Sequence, residues 1–295
     1  MGCYEVSFDF AFVFTLELDH ALPTSGGTFV RTNVMRIVSV IFVIALGTVA
    51  AIGQTGSWKQ VGKSGEWIDT RFMAALDGEI WTIEKSGSLY RTNKAGMWKQ
   101  VGESGAWANT RLMTAMDAEI WTIETDGNLY RTDKSGSWRL VGKAGEWAGT
   151  RSIVAMDSEI WSIEKNGDLY RSDKNGNYRK VGPSGNMADA LALVVLDGEL
   201  WTVERNGSLY RTNKLGGWLR VGKPGEWANT SFICAAKGWL WSIEADGNLY
   251  KTDKTGRWQV VNGNGEYRNT VAMISLDGEL WTIESDGNLY VTSAM

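Results

Sequence analysis

Histidine is almost missing from this chain, with His20 the single copy in 295 residues, and cysteine is nearly as scarce, with Cys3 and Cys234 alone. A Ser-His or Cys-His nucleophile, or a metal held by imidazoles, cannot be assembled from residues 54–295, which hold no histidine. The two lie on opposite sides of the expected processing site, which leaves no intramolecular disulfide framework, so packing and hydrogen bonds must carry the stability. Neither sign of charge dominates: 30 Lys and Arg stand against 34 Asp and Glu, and no strong field draws in nucleic acid or an anionic membrane. Proline is rare, at 3 residues, and no long stretch of period 3.6 occurs, which disfavours helical solenoids.

The one long apolar run, IVSVIFVIALGTVAAI over residues 37–52, follows Met35-Arg36 and is 16 residues long, short of the roughly 20 that span a bilayer. It reads as a signal peptide within residues 35–53. Small residues allow cleavage after Ala51 or Gly53, so the mature chain starts near Gln54 and is expected to be secreted and extracellular. Residues 1–34 then precede the leader: either Met35 is the true start, or residues 1–34 form an unusual pre-leader. A retained membrane anchor is the competing reading of the apolar run.

What the chain has in abundance is glycine, 35 residues, and tryptophan, 16 residues, both in a strict order. Blocks of forty from Gly56 give six units without insertion or deletion: 56–95, 96–135, 136–175, 176–215, 216–255 and 256–295. Every tryptophan lies inside them: six at the position of Trp81, five at that of Trp58, four at that of Trp67, and Trp239. Turn dipeptides and period-two alternation divide each unit into four short strands. Asp77-Gly78 reads as a two-residue hairpin loop between RFMAAL and EIWTIE. Ala118 and Ser158 replace the glycine in two units, where the turn is strained or of another type. Ser86-Gly87 reads as a second two-residue loop, leading into SLYRT; it pairs Ile83 with Tyr90 and puts Trp81, Ile83 and Tyr90 on one face, with Ile80, Thr82, Glu84, Leu89 and Arg91 on the other. Glu84 and Arg91 are then diagonal neighbours and form an ion pair.

Both faces carry apolar bulk, as in a blade sandwiched between two others, so the expected fold is an all-β six-bladed β-propeller of four-stranded blades over 54–295. Closing the ring requires the strand at Trp58 to Val61 to pair with Leu289 to Thr292 in the last blade, removing an exposed edge.

With W-x-x-V-G, G-E-W, D-G-E-I-W-T-I-E and G-x-L-Y-R-T repeated along it, the chain resembles the tectonin and tachylectin families of β-propeller lectins over 56–295. The resemblance implies a ring with sugar sites repeated near the connectors between blades, and a glycan-binding role in recognition or innate defence.

Those connectors hold the candidate carbohydrate-binding residues: Glu66, Trp67, Asp69 and Arg71; Trp107, Asn109 and Arg111; Glu146, Trp147 and Arg151; Glu226, Trp227 and Asn229; Glu266, Tyr267 and Asn269. An aromatic face stacks on the apolar side of a pyranose, while carboxylate, amide and guanidinium groups orient its hydroxyls. The fourth unit departs, with Asn186, Met187 and Leu191, and its site is expected to be weak or absent. The alternative for Trp67 is a plug between adjacent blades. The Trp81 series reads as core, and Cys234 as a small core residue.

No catalytic, metal or cofactor site is expected. Acidic residues recur in nearly every unit, whereas catalysis calls for one differentiated site. The expected function is multivalent glycan binding, with glycans or glycoconjugates as partners and no nucleic acid. The competing reading is a protein-interaction scaffold, for which Lys237 and Trp239 in the fifth unit are the clue.

Overall fold

The computed structural model describes residues 58–293, so the proposed leader and residues 1–34 lie outside the described residues. It contains 24 strands in six antiparallel sheets of four, the six-bladed β-propeller expected from the repeats. A short strand, β1 (Lys59–Val61), opens the chain; blade one follows as β2 (Thr70–Leu76), β3 (Glu79–Glu84), β4 (Leu89–Thr92) and β5 (Trp98–Val101). Each later blade repeats this order, running from the innermost strand to the rim.

Asp77 and Gly78 both have positive φ, 50° and 74°, the type I′ geometry whose twist suits a two-residue hairpin. Ala118 (φ 61°) and Ser158 (φ 56°) keep the same conformation without glycine, so those two turns are strained and not of a different type.

The second hairpin departs from expectation. Ile83 pairs with Leu89, Thr82 with Tyr90 and Trp81 with Arg91. Three residues, Lys85, Ser86 and Gly87, form the loop, closed by Glu84 N–H donating to Ser88 O (3.1 Å) and Gly87 N–H to Glu84 O (2.9 Å). Gly87 sits at φ 80°, the left-handed residue of a three-residue loop. A Cβ there would also fall 2.3 Å from Ala108 N in the next connector. One extra loop residue shifts the register by one, and strand periodicity turns that into a change of face. Trp81, Ile83, Leu89 and Arg91 therefore share one face, and Ile80, Thr82, Glu84 and Tyr90 the other. Arg91 pairs with Glu79 (3.7 Å) and not with Glu84, as do Arg131 with Glu119 (3.4 Å) and Arg171 with Glu159 (3.3 Å).

Stacked blades bury both faces. Between blades one and two, Trp81, Ile83, Leu89 and Val101 meet Ile120 of the next blade, with Trp107 of the connector wedged among them. The same cluster recurs around the ring with Trp67, Trp147, Met187, Trp227 and Tyr267 as the wedge. The ring closes as the sequence requires: β1 pairs with Leu289–Ser293 through Lys59 with Val291, Gln60 with Tyr290 and Val61 with Leu289.

Candidate functional site

A cleft opens beside the wedge in blades two, three, five and six. In blade five it has about 180 Å³ and is lined by Glu226, Trp227 and Asn229 from the connector, Ser242 and Glu244 from the second strand, Asp246 from the turn, Tyr250 and Thr252 from the third strand, and Trp258 from the outer strand. Blade two repeats it at about 180 Å³ with Trp107, Asn109, Thr122, Glu124, Asp126, Tyr130 and Trp138. Blade three has a cleft of about 170 Å³ with Glu146, Trp147, Ser162, Glu164, Tyr170 and Tyr178. In blade six, about 300 Å³ is enclosed by Glu266, Tyr267, Asn269, Glu284, Asp286, Tyr290 and Trp58, the last supplied by the N-terminal end of the described chain.

The displaced hairpin register makes these clefts, because it puts Tyr90 and its counterparts on the same face as Glu84 and opposite the connector. The predicted connector residues divide into three groups. Trp67, Trp107, Trp147, Trp227 and Tyr267 are each 3% exposed, so they wedge the blades apart and offer little surface to a ligand. Arg71 donates to Ala108 O (3.0 Å) on the next connector and to Thr110 O (2.8 Å) at the start of the next blade's innermost strand. Arg111 likewise holds Thr150 O and Trp147 O, and Arg151 holds Met187 O. The bulge at Thr70/Phe72 and its counterparts aims these guanidiniums across the blade boundary, and none lines the four clefts described. The acids and amides are the third group. Asn109, Asn229 and Asn269 line clefts. Glu66 accepts from Trp98 Nε1 (3.2 Å) and Glu226 from Trp258 Nε1 (3.4 Å), fixing the outer ring. Asp69 is bonded to Lys85 (3.2 Å).

The exposed aromatic surface comes from residues outside the connectors. Trp98, Trp138, Tyr178 and Trp258 are about half exposed on the outer strand. Each meets the blade's own tyrosine edge to face, as in Tyr130–Trp138 at 5.0 Å and 86°. Their recurrence at one repeat position was visible in the sequence, but their pairing with Tyr90 and Glu84 depended on the register. Blade four differs again: Tyr210 and Trp218 lie stacked at 4.1 Å and 25°.

Each of the four clefts has a glutamate, buried at Glu124 and half-buried at Glu164, Glu244 and Glu284. Burial pushes the carboxyls of Glu84, Glu124, Glu164, Glu204, Glu244 and Glu284 above the ordinary value of 4.5, and a neighbouring aspartate adds to the rise in each. Thr110, Thr150, Thr230 and Thr270 donate to four of them at 2.7–2.8 Å. A carboxyl with a raised folded-state pKa stabilises the fold below its unfolded value and loses that contribution as pH rises through the folded value. Hydrogen bonds hold Asp133, Asp168 and Asp173 below 3.8, and that stability is lost only as pH falls through their lowered folded values. The thermal midpoint is therefore expected to rise as pH is lowered from 8 towards about 4.5 and to fall below about 3.8. Glu124→Gln and Glu244→Gln should flatten the upper limb; a midpoint that declines steadily from pH 8 would contradict this balance.

Blade five departs from the repeat at two positions, Lys237 and Trp239. Lysines of one blade reach the hairpin aspartate of the preceding blade: Lys94 to Asp277 (2.8 Å), and Lys134, Lys214 and Lys254 to Asp77, Asp157 and Asp197. In the sequence the next position of that lysine series is Ala294, and the hairpin position held by Asp197 and Asp277 carries Lys237 in blade five. Trp239 is half-buried, with Lys251 Nζ 5.1 Å above its ring.

Among the described residues no group of three or more His, Cys, Asp or Glu is placed to hold a metal ion. Cys234 is buried, which pushes its thiol up to about 12.

No known protein family profile and no curated protein sequence matches the chain. Solved structures do. A catalytically inactive virginiamycin B lyase from Staphylococcus aureus with quinupristin is similar at TM-score 0.58 and 17% identity, over 81% of this chain and 89% of that one. XC5397 from Xanthomonas campestris, described as a gluconolactonase, is similar at TM-score 0.57 and 13% identity, over 80% and 89%. YCF48 bound to D1 peptide is similar at TM-score 0.51 and 16% identity, over 80% and 81%. At such identities the likeness is one of fold, and lyases and a peptide-binding factor share it, so these comparisons assign the chain an architecture and no family.

Proposed function

We propose that this chain is a multivalent carbohydrate-binding protein that acts outside the cell, a lectin and not an enzyme. The observation that carries this reading is the recurrence of one small cleft in blades two, three, five and six, each pairing an outer aromatic ring, exposed in blades two, three and five and half-buried in blade six, with a buried or half-buried glutamate. An indole or phenol face covers the apolar side of a sugar ring, and the carboxylate and amide groups opposite accept and donate to its hydroxyls. Three of the clefts are below the roughly 300–1,000 Å³ of drug-sized sites and the fourth is at its lower edge, which suits one sugar ring at a time. Weak sites on one rigid ring gain by engaging a glycan-coated surface together, by ~10²–10⁴ over a single site. Residues 58–293 contain no histidine, and their one cysteine is buried with its thiol protonated, which favours binding over nucleophilic chemistry.

A glycan array and red-cell agglutination with the 54–295 protein test this. Wild type is expected to bind and agglutinate; Trp138→Ala with Trp258→Ala, both at exposed rings, should keep the fold and lose most of the apparent affinity. The buried wedges Trp67, Trp107, Trp147 and Trp227 are unsuitable probes, because their removal damages blade packing. Folded wild-type protein that binds no glycan would end the proposal.

A further inference from the structure

Three of the four clefts are each made by one unbroken stretch of chain: 106–138 in blade two, 146–178 in blade three and 226–258 in blade five. Blade six is built differently. Its own stretch, 266–290, supplies the connector residues with Glu284, Asp286 and Tyr290, but the outer ring is Trp58, which directly precedes β1 at the other end of the described chain. Trp58 is half-buried, its ring centroid 4.5 Å from that of Tyr267 and 6.2 Å from that of Tyr290, at interplanar angles of 62° and 88°. This cleft of about 300 Å³ has its outer aromatic wall only while β1 is seated.

β1 is also the least secured outer strand. It has 3 residues, of which Val61 alone is buried, against 4 or 5 residues in the outer strands of blades one to five. The chain ties each of those strands at both ends, through a tight turn to its own blade (in blade one, Asn93 N–H donates to Met97 O at 3.0 Å) and through a connector to the next. β1 has no turn to blade six. The chain joins it, through Gly62 to Asp69, to blade one, and what holds it across the seam is non-covalent. Three residue pairs link it to Leu289–Ser293, Gln60 Nε2 donates to Asn288 Oδ1 (3.3 Å), and Gly65 N–H donates to the same oxygen (3.0 Å). Local opening begins where the ladder is short and buried contacts are few, and both conditions meet at this seam.

We infer that the blade-six cleft is a clasp: resting on the glycan reading above, a sugar bound there holds the ring closed, and ring closure sets the affinity of that one site. A ligand resting on Trp58 binds the seated state and loses its outer wall in the unseated one, so it shifts the equilibrium towards closure by the ratio of its two affinities. The coupling is reciprocal. Loosening β1 must weaken blade six by the same factor, while blades two, three and five, whose clefts contain nothing from β1, keep their affinity. Engaging a glycan-coated surface thereby braces the ring at its weakest seam.

Hydrogen exchange read by mass spectrometry on the 54–295 protein tests this, with glucose, galactose, mannose and N-acetylglucosamine as probes, each at about a hundredfold the Kd that calorimetry gives it. A sugar that binds is expected to slow exchange at Lys59–Val61 by about 100-fold. Trp218–Val221, an outer strand that lines none of the four clefts, should be unchanged. Trp58→Ala should abolish the slowing while the other clefts still bind. The reciprocal arm starts from Trp138→Ala with Tyr178→Ala and Trp258→Ala, which leaves blade six the one intact outer ring among the four clefts. Adding Val61→Asp to that variant should weaken its sugar binding by about tenfold or more, whereas Val61→Asp alone should keep the binding of blades two, three and five. If Val61→Asp does not fold, exchange in the unmodified protein decides. Sugar binding to the unmodified protein without slowing at Lys59–Val61 overturns the inference and leaves the glycan reading standing. Slowing of equal size at Trp218–Val221 is global stabilisation and also overturns the inference, and no binding by any probe overturns both.

Discussion

Trp121→Ala is expected to lower the unfolding free energy by about 3–5 kcal/mol, the range for emptying a fully buried large aromatic site. Trp121 is 0% exposed, packs with Met116, Ile123, Leu129, Val141, Trp147 and Ile160, and donates from Nε1 to Met116 O at 3.2 Å. Alanine would leave a cavity bounded by two sheets and a connector, none of which can collapse without displacing a neighbouring blade. The lost bond would strand little, since Met116 O is a backbone group within a strand. Urea unfolding checks the size of the loss, with Trp138→Ala as the control. Trp138 is 57% exposed, so its removal should change stability by no more than about 0.5 kcal/mol. A loss below about 1 kcal/mol for Trp121→Ala would mean that the blade interface is not the main source of stability.

Val61→Asp is expected to open the ring. Val61 is 6% exposed and belongs to the cluster of Trp67, Ile80, Leu276, Trp281, Ile283 and Leu289 that joins blade six to blade one. In that apolar cluster an aspartate must be buried unpaired or protonated, or β1 must leave; the last is the least costly. Leaving exposes the edge of Leu289–Ser293 and frees Trp58 from Tyr267, whose ring centroid is 4.5 Å away. Hydrogen exchange should show the last blade losing protection first. The freed strand and open edge should also pair between molecules, giving dimers whose share rises with concentration. Unchanged protection at Leu289–Ser293 would show that closure does not depend on the latch.

Much of this architecture was legible before any coordinates. The forty-residue period, the Asp77-Gly78 turn, the buried Trp81 series and the pairing of the chain's first strand with its last blade all follow from local chemistry and from the need to cover sheet edges. The error lay in one loop residue at Ser86-Gly87. Glycine signals a left-handed position, and both two- and three-residue hairpins use one, so the dipeptide alone leaves the register open by one. That one residue moved Tyr90 beside Glu84 and sent Arg91 to Glu79. It also concealed the cleft, because the outer tryptophans Trp138 and Trp258 gain their partners only across the correctly paired strands.

The connector residues show the same division. Trp107 and Asn109 are two residues apart in a loop, and nothing local distinguishes a wedge from a sugar platform; the approach of the next blade buries the first and leaves the second on the cleft. Arg71 could have faced solvent, but the bulge beside it turns the guanidinium onto the carbonyls of its neighbour.

The sequence by itself determined how many blades there are, where each strand begins and that the ends must meet, because strand period, turn conformation and edge burial are properties of short segments. Only the tertiary structure decided which aromatic rings are buried and which exposed, and which of them meet a glutamate across a cleft. Those outcomes depend on what two adjacent blades bring to the same space, and no single segment carries that information.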